Sequence, residues 1–291
     1  MRKMDYAALR GILLALLCAA IVTACAPVCG DVGYLRCEEL PDSMALIPPP
    51  PDQGSIALKY DEKISNESLN LFGIGKPGEA RWNQAAKDAD FCIDPPQKEE
   101  DKTCPQIKNE KPCINAFSCV LGVTISEKKT PHLAKLLRFV KRDAGNSVIK
   151  AKDYYKRKRP FQENNKPICK ESDRCYLEKN GSYPSGHNAI GWAWALVLTE
   201  VAPQKSNAIL TRGWAFGENR IVCNVHWHSD ALEGRSMGAA VVARLHGNPQ
   251  FNADVEAARK ELKDIALDKN KSKQLKPQAA YCNAEYKALK Q

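Results

Sequence analysis

What this chain of 291 residues lacks narrows its chemistry before anything positive is considered. No two cysteines have the two-residue spacing of a zinc ribbon or knuckle, so a structural zinc site finds little support. Only 5 histidines are present, which leaves few ligands for a metal cluster. No arginine-rich tract interleaves with aromatic residues, so the net charge of +9 is no mark of nucleic-acid binding. Lys and Glu mix near the C-terminus as they do on a solvated helix face. No internal repeat and no long low-complexity linker divides the chain, which argues for one substantial core. No alternation of apolar and polar residues marks out strands. The apolar run Ile12 to Val22 is too short and too close to the start to span a membrane in a mature protein.

That run, preceded by Arg2, Lys3 and Arg10, reads instead as a secretory signal over residues 1–24. Val22-Thr23-Ala24-Cys25 resembles a bacterial lipoprotein box, with Cys25 acylated as the new first residue. The rival, ordinary cleavage after Ala26, is disfavoured by Pro27. A lipid at Cys25 would be the only membrane attachment, and a periplasmic or outer-membrane-anchored protein is expected. The 12 cysteines fit an oxidising compartment. The close pairs Cys113/Cys119 and Cys169/Cys175 could each staple a short loop. Partners for Cys29, Cys37, Cys92, Cys104, Cys223 and Cys282 do not follow from sequence.

Residues 25–291 are read as a single domain with its core at about 41–268. Residues 26–55, with the run Pro48 to Pro51, should form an extended N-terminal arm. Residues 92–114, rich in Lys, Glu, Pro and Cys, look like a surface excursion. From Pro131, the apolar residues Leu133, Leu136, Leu137, Val140, Ala144, Val148 and Ala151 recur at three- and four-residue steps. They predict one long helix that ends near Arg159, ahead of Pro160. A second helix should run from about Ser185 through Ala189, Trp192, Ala195 and Leu196 to Pro203. Further helices are expected at 204–217, 230–246 and 250–268. The fold class is therefore all-α, a helical bundle.

Three segments carry residues suited to holding and attacking a phosphoryl group. Lys152 and Arg159 lie seven apart, close to two helical turns, and can present a point charge and a planar donor fork on one face. Pro184-Ser185-Gly186-His187 stands where a helix begins, and there free backbone amides and the positive helix end favour an anion. Arg220, His226 and Asp230 complete the set. Four residues apart, Asp230 can accept the Nδ1 proton of His226 and leave Nε2 as a nucleophile. Each segment also has an ordinary reading: a solvated basic stretch, a plain helix cap at Ser185, an ion pair between Arg220 and Asp230.

Together, and in this order, the segments resemble the superfamily of type-2 phosphatidic acid phosphatases and vanadium haloperoxidases, and within it the class A bacterial non-specific acid phosphatases. The resemblance runs from about Pro41 to about Pro249. It takes in Leu46 to Pro51, Gly54-Ser55-Ile56-Ala57, Lys152 to Pro160, Gly181 to His187, Gly191-Trp192, Val222-Cys223 and His226-Trp227. It implies the helical core of that superfamily, with phosphate held by Lys152, Arg159, Ser185, the Gly186 amide and Arg220. His226 would attack, His187 would protonate the leaving group, and no cofactor or metal would be needed. The substrates implied are small phosphate monoesters; a homodimer is left open. The family usually has Ser where this chain has Asn219, which puts the fine phosphate geometry in doubt. Because one imidazole must be neutral and the other protonated, activity should peak on the acid side of neutrality. Competing readings are a metallohydrolase built on His226-Trp227-His228-Ser229-Asp230, a vanadate-dependent haloperoxidase, and a non-catalytic anion-binding lipoprotein. The first needs His132 and His246 to complete its ligands and has Ala231 where a further His is usual.

Overall fold

The computed structural model describes residues 33–71, 77–90 and 114–289. The signal segment, Cys25, Cys29, Cys92, Cys104, Cys113 and nearly all of the 92–114 excursion lie outside them. Among the described residues the chain is helical and has no strand. The helices that bear on the site are α1 (Ile56–Leu71), α2 (Ala80–Ala89), α3 (Pro131–Ser147), α4 (Ile149–Tyr155), α5 (Gly186–Val201), α6 (Ser206–Val222), α7 (His228–Leu245), α8 (Pro249–Leu267) and α9 (Ala279–Leu289).

Helix α5 is the hub, with α3, α6, α7 and α8 packed around it. Its sequence explains this, because Ala189, Ile190, Ala193, Trp194, Ala195, Val197, Leu198 and Val201 point in every direction and are all buried. A helix apolar all round belongs inside a core. Its neighbours approach closely through glycine. A Cβ on Gly191 would come 2.3 Å from the Phe216 ring of α6, and one on Gly234 of α7 would come 2.4 Å from the Ser185 carbonyl oxygen. These contacts seat α6 and α7 directly against the N-terminal turn of α5.

The apolar stripe expected from Leu133 to Ala151 is buried in full. It does not belong to one helix, however. One helix ends at Ser147 and the next begins at Ile149, with Val148 between them still in the right-handed region, and the second stops after Tyr155, with Lys156 left-handed at φ 44°. The segment from there to Arg159 is extended rather than helical, with Arg159 at φ −84°, ψ 156°. The restriction before Pro160 thus shapes the strand-like approach, while the helix ends four residues earlier than expected. The second expected helix is α5. The expected 204–217 helix continues to Val222, because Gly217 packs inside it against Asn188 instead of ending it.

The N-terminal arm lies along the bundle. Tyr34 donates from its amide to Asp143 at 2.9 Å and from its hydroxyl to Asp254 at 2.9 Å, and the Tyr183 hydroxyl donates to the Pro48 carbonyl. Neither close cysteine pair forms. Cys119 is bonded to Cys282 and Cys169 to Cys223, while Cys37 and Cys175 are also in disulfides. The bridges join segments distant in sequence, and α9 is thereby tied back to the bundle through Cys282.

Candidate active site

Three chain segments converge at the N-terminal end of α5. Ser185 is its N-cap and accepts from the Asn188 amide at 3.3 Å. The Ser185 amide in turn donates to the Asp230 carbonyl at 2.9 Å, which ties the start of α5 to the first turn of α7. Gly186 leaves room for Lys152, whose Cε lies 3.9 Å from where a Cβ would be. Lys152 Nζ donates to the Gly181 carbonyl at 2.7 Å, and the Arg159 guanidinium reaches the same oxygen at 3.3 Å. The two cations therefore do converge, though from an ended helix and an extended segment and not from two turns of one helix.

His226 lies in the five-residue link between α6 and α7, where Asn224 takes φ 60°. Asn tolerates the left-handed region, and the resulting turn is closed by the Val225 amide donating to the Arg220 carbonyl at 3.2 Å. Asp230, in the first turn of α7, accepts from the Trp227 amide at 2.8 Å and from His226 Nδ1 at 3.2 Å. The four-residue spacing thus works across a loop-to-helix junction and not within a helical turn. On the other edge of the ring, Arg159 donates to His226 Nε2 at 3.1 Å. A carboxylate only accepts and a guanidinium only donates. These two partners favour the neutral tautomer with its proton on Nδ1 and a lone pair on Nε2, facing the cations.

His187, in the first turn of α5, stacks on the Phe216 ring with centroids 6.2 Å apart and directs Nε2 to the Ala89 carbonyl at 3.5 Å. Arg220 is 2% exposed and acts electrostatically on both histidines. Beside it Ala89, Lys170, Asp173, Leu177 and Val225 line a narrow gap with no room for a water molecule.

Burial and mutual repulsion set the charges. Burial, followed by the cations Arg159, Lys152 and Arg220, holds His226 well below the usual histidine range. His187 is held down by burial and then by Arg220 and His226. Burial also depresses Lys152 and brings Arg159 to about 10. Burial pushes the Asp230 carboxyl up, while Arg157 and the Trp227 amide pull it back. A cluster of buried cations of this kind can hold an anion.

The residues expected from sequence, Lys152, Arg159, Ser185, Gly186, His187, Arg220, His226 and Asp230, all lie in this one neighbourhood. Sequence reasoning missed what stands behind them. Arg157, 11% exposed, pairs with Asp230 at 2.7 Å and with Asp61 of α1 at 2.8 Å. Asp61 also accepts from the Ser229 amide at 2.8 Å, capping α7 from another helix. One signal was available: two residues apart in an extended segment, Arg157 and Arg159 share a face. Asn219 is turned to Asp88, to which it donates at 2.6 Å. Among the described residues no group of three potential metal ligands is gathered. The histidines a metallohydrolase would need are placed elsewhere, His132 exposed on α3 and His246 paired with Glu200 at 3.2 Å.

This chain is similar to several known proteins. Residues 137–253 match the model of the PAP2 superfamily. A non-specific acid phosphatase of Providencia stuartii is 39% identical over 232 residues, 79% of this chain and 85% of that one. An acid phosphatase of Zymomonas mobilis is 37% identical over 76% of this chain and 75% of its own length. A non-specific acid phosphatase of Salmonella typhimurium is 36% identical over 78% of this chain and 82% of its own.

Proposed function

Because this chain belongs to the bacterial non-specific acid phosphatases of the PAP2 superfamily, and is thus a phosphoric monoester hydrolase, we propose that it acts through a phosphohistidine formed on His226. The observation that carries this reading is the polarity of the hydrogen bonds at that ring: Asp230 takes the Nδ1 proton and the Nε2 lone pair is turned to the cations. An incoming phosphate would take over the guanidinium of Arg159 and free Nε2 to attack phosphorus. As the N–P bond forms, the P–O bond to the leaving group breaks and His187 supplies its proton. Neutral His187 would then take a proton from water as that water attacks phosphorus and the N–P bond breaks; inorganic phosphate leaves and the proton passes from His187 to solution, restoring both rings.

Lys152, Arg159 and Arg220, with the Ser185 hydroxyl and the Gly186 amide, would meet the charge on the phosphoryl oxygens. Burial keeps His187 neutral in the empty site, so its proton would arrive with the substrate dianion, whose charge offsets the repulsion of Arg220. That coupling favours activity on the acid side of neutrality and a broad range of small phosphate monoesters, since recognition centres on the phosphoryl group. The three cationic side chains would make the reaction independent of metal. We further read residues 25–291 as one exported domain, anchored through Cys25 once residues 1–24 are removed. Fatty-acid labelling that Cys25→Ala abolishes would establish the anchor.

The deciding test quenches turnover of a phosphate-labelled ester and counts acid-labile, base-stable label on the protein. His226→Ala should trap none, whatever the ester. His187→Ala should still trap label from an activated aryl phosphate and lose about a hundredfold or more in rate on an alkyl phosphate. Label on His226→Ala but not on His187→Ala would reverse the two roles.

A further inference from the structure

Behind His187 lies a fully buried carboxylate that the reaction does not use. Asp88, in the last turn of α2, accepts from Arg212 at 2.9 and 2.8 Å, from Asn219 at 2.6 Å and from Gln84 at 3.0 Å. Arg212, Phe216 and Asn219 follow one another at four- and three-residue steps and form a single stripe of α6. The guanidinium of Arg212 also lies 5.5 Å over the Phe216 ring and 3.4 Å from Glu285 of α9. Asp88 and Asp90 have the one-residue spacing of aspartyl-phosphate enzymes, but Asp88 is saturated with donors and Asp90 pairs with Lys170 at 2.5 Å.

The slot that holds His187 has two walls, the Ala89 carbonyl on one side and the Phe216 ring on the other. Ala89 is the residue after Asp88. Phe216 lies on α6 between the two residues that grip Asp88. Resting on the reading of His187 as the acid, we infer that Asp88 is a positioning residue which holds both walls of that slot and so sets the direction in which His187 delivers its proton. Asn219 then has a role of its own here: its longer amide spans from the turn before Arg220 to Asp88, a reach the family's usual Ser lacks.

A general acid that is loosened but present fails most where the leaving group needs it most. The test is a steady-state comparison of an aryl and an alkyl phosphate on purified full chain, for wild type, His187→Ala, Asp88→Asn and Asn219→Ala. Asp88→Asn should lower kcat on the alkyl phosphate about tenfold and on the aryl phosphate less than about twofold, with KM for both nearly unchanged. Asn219→Ala, which keeps the carboxylate and removes one of its donors, should give the same selectivity at about threefold, and it serves alone where Asp88→Asn fails to fold. An equal loss on both esters would mean that Asp88 only supports the fold, and would overturn the inference while leaving His187 as the acid. Absence of selectivity in His187→Ala would instead remove the acid assignment, and this inference with it.

Discussion

At His226, the surroundings suit the proposed role. The ring is buried among cations, which depresses its proton affinity, and a nucleophile that attacks phosphorus in acid solution would have to stay unprotonated. On that proposal the acid limb of kcat/KM would report the protonation of free His226. Removing a neighbouring cation should let His226 hold its proton to higher pH, so Lys152→Met should move that limb upward. The groups facing the ring, Arg159, Arg220, His187 and Asp230, all remain in this variant. Phosphate should also bind more weakly by about 1.5–3 kcal/mol, the worth of a hydrogen bond to a charged group. A pH–rate profile and competitive inhibition by phosphate check both, and an acid limb that stays put would show that Lys152 does not act on His226. Arg157 makes the complementary case. Arg157→Met would leave Asp61 and Asp230 buried, facing each other with no shared cation. A loss of about 3–5 kcal/mol in unfolding free energy is expected, along with a fall in kcat; calorimetry and turnover on one preparation test it, and unchanged stability would mean solvent reaches the pair. Its two-residue spacing from Arg159 singles out Arg157 only once the segment is known to be extended, which the basic run around it does not reveal.

At the scale of helices, much was legible. Leu133 to Ala151 gave a correct buried face because the three- and four-residue step is fixed by helix geometry, and Ser185 gave a correct start because its hydroxyl can cap. The break at Val148 and the stop at Tyr155 were not legible. They follow from where Arg157 and Arg159 must turn, toward partners on α1, α7 and the Asn180–Gly181 loop. The disulfides were illegible for a similar reason, since bridges spanning 163 and 54 residues depend on the packed bundle. Glycine shows how helix packing reaches the site. Gly234→Ala drives a methyl into the Ser185 carbonyl at 2.4 Å, so it should push the first turn of α7, with Asp230, away from the start of α5. A cost of about 1–3 kcal/mol is expected, together with loss of kcat. Gly145→Ala in α3 is the contrast, because its added carbon meets only Ile190 at an ordinary 3.6 Å. It should stabilise by about 0.5–1 kcal/mol through helix propensity and leave turnover alone. Equal effects of the two substitutions on kcat would mean that the close approach of α7 does not govern the site.

Over the whole molecule, an enzyme that works in acid must also stay folded there, and its buried groups pull in opposite directions. His187 and His226 are held below the ordinary 6.5, so the unfolded chain binds protons the folded one refuses, and stability falls as the pH drops below that value. Buried carboxyls do the reverse. Asp143 receives the N-terminal arm, accepting the amides of Tyr34 and Leu35, yet burial pushes it from the ordinary 3.8 up to about 6. Between those values the folded protein holds a proton that the unfolded chain has released, so stability is greatest on the acid side and declines as pH rises through the window. Asp173 and Glu285, also raised chiefly by burial, add to the same trend. The arm's amides hold the ionised carboxyl better than the protonated one, so the gain in acid comes from no longer burying a charge and not from a firmer grip on the arm. Asp143→Asn isolates the effect, since the amide keeps the shape and cannot titrate. The stability of wild type relative to this variant should fall by on the order of 2–3 kcal/mol between pH 4 and pH 6.5 and then level off. Denaturant unfolding of both proteins across that range measures it. A difference that stays constant with pH would mean the amides from the arm keep Asp143 ionised throughout, and the acid tolerance of the fold would then rest on other raised carboxyls such as Asp173, Asp230 and Glu285.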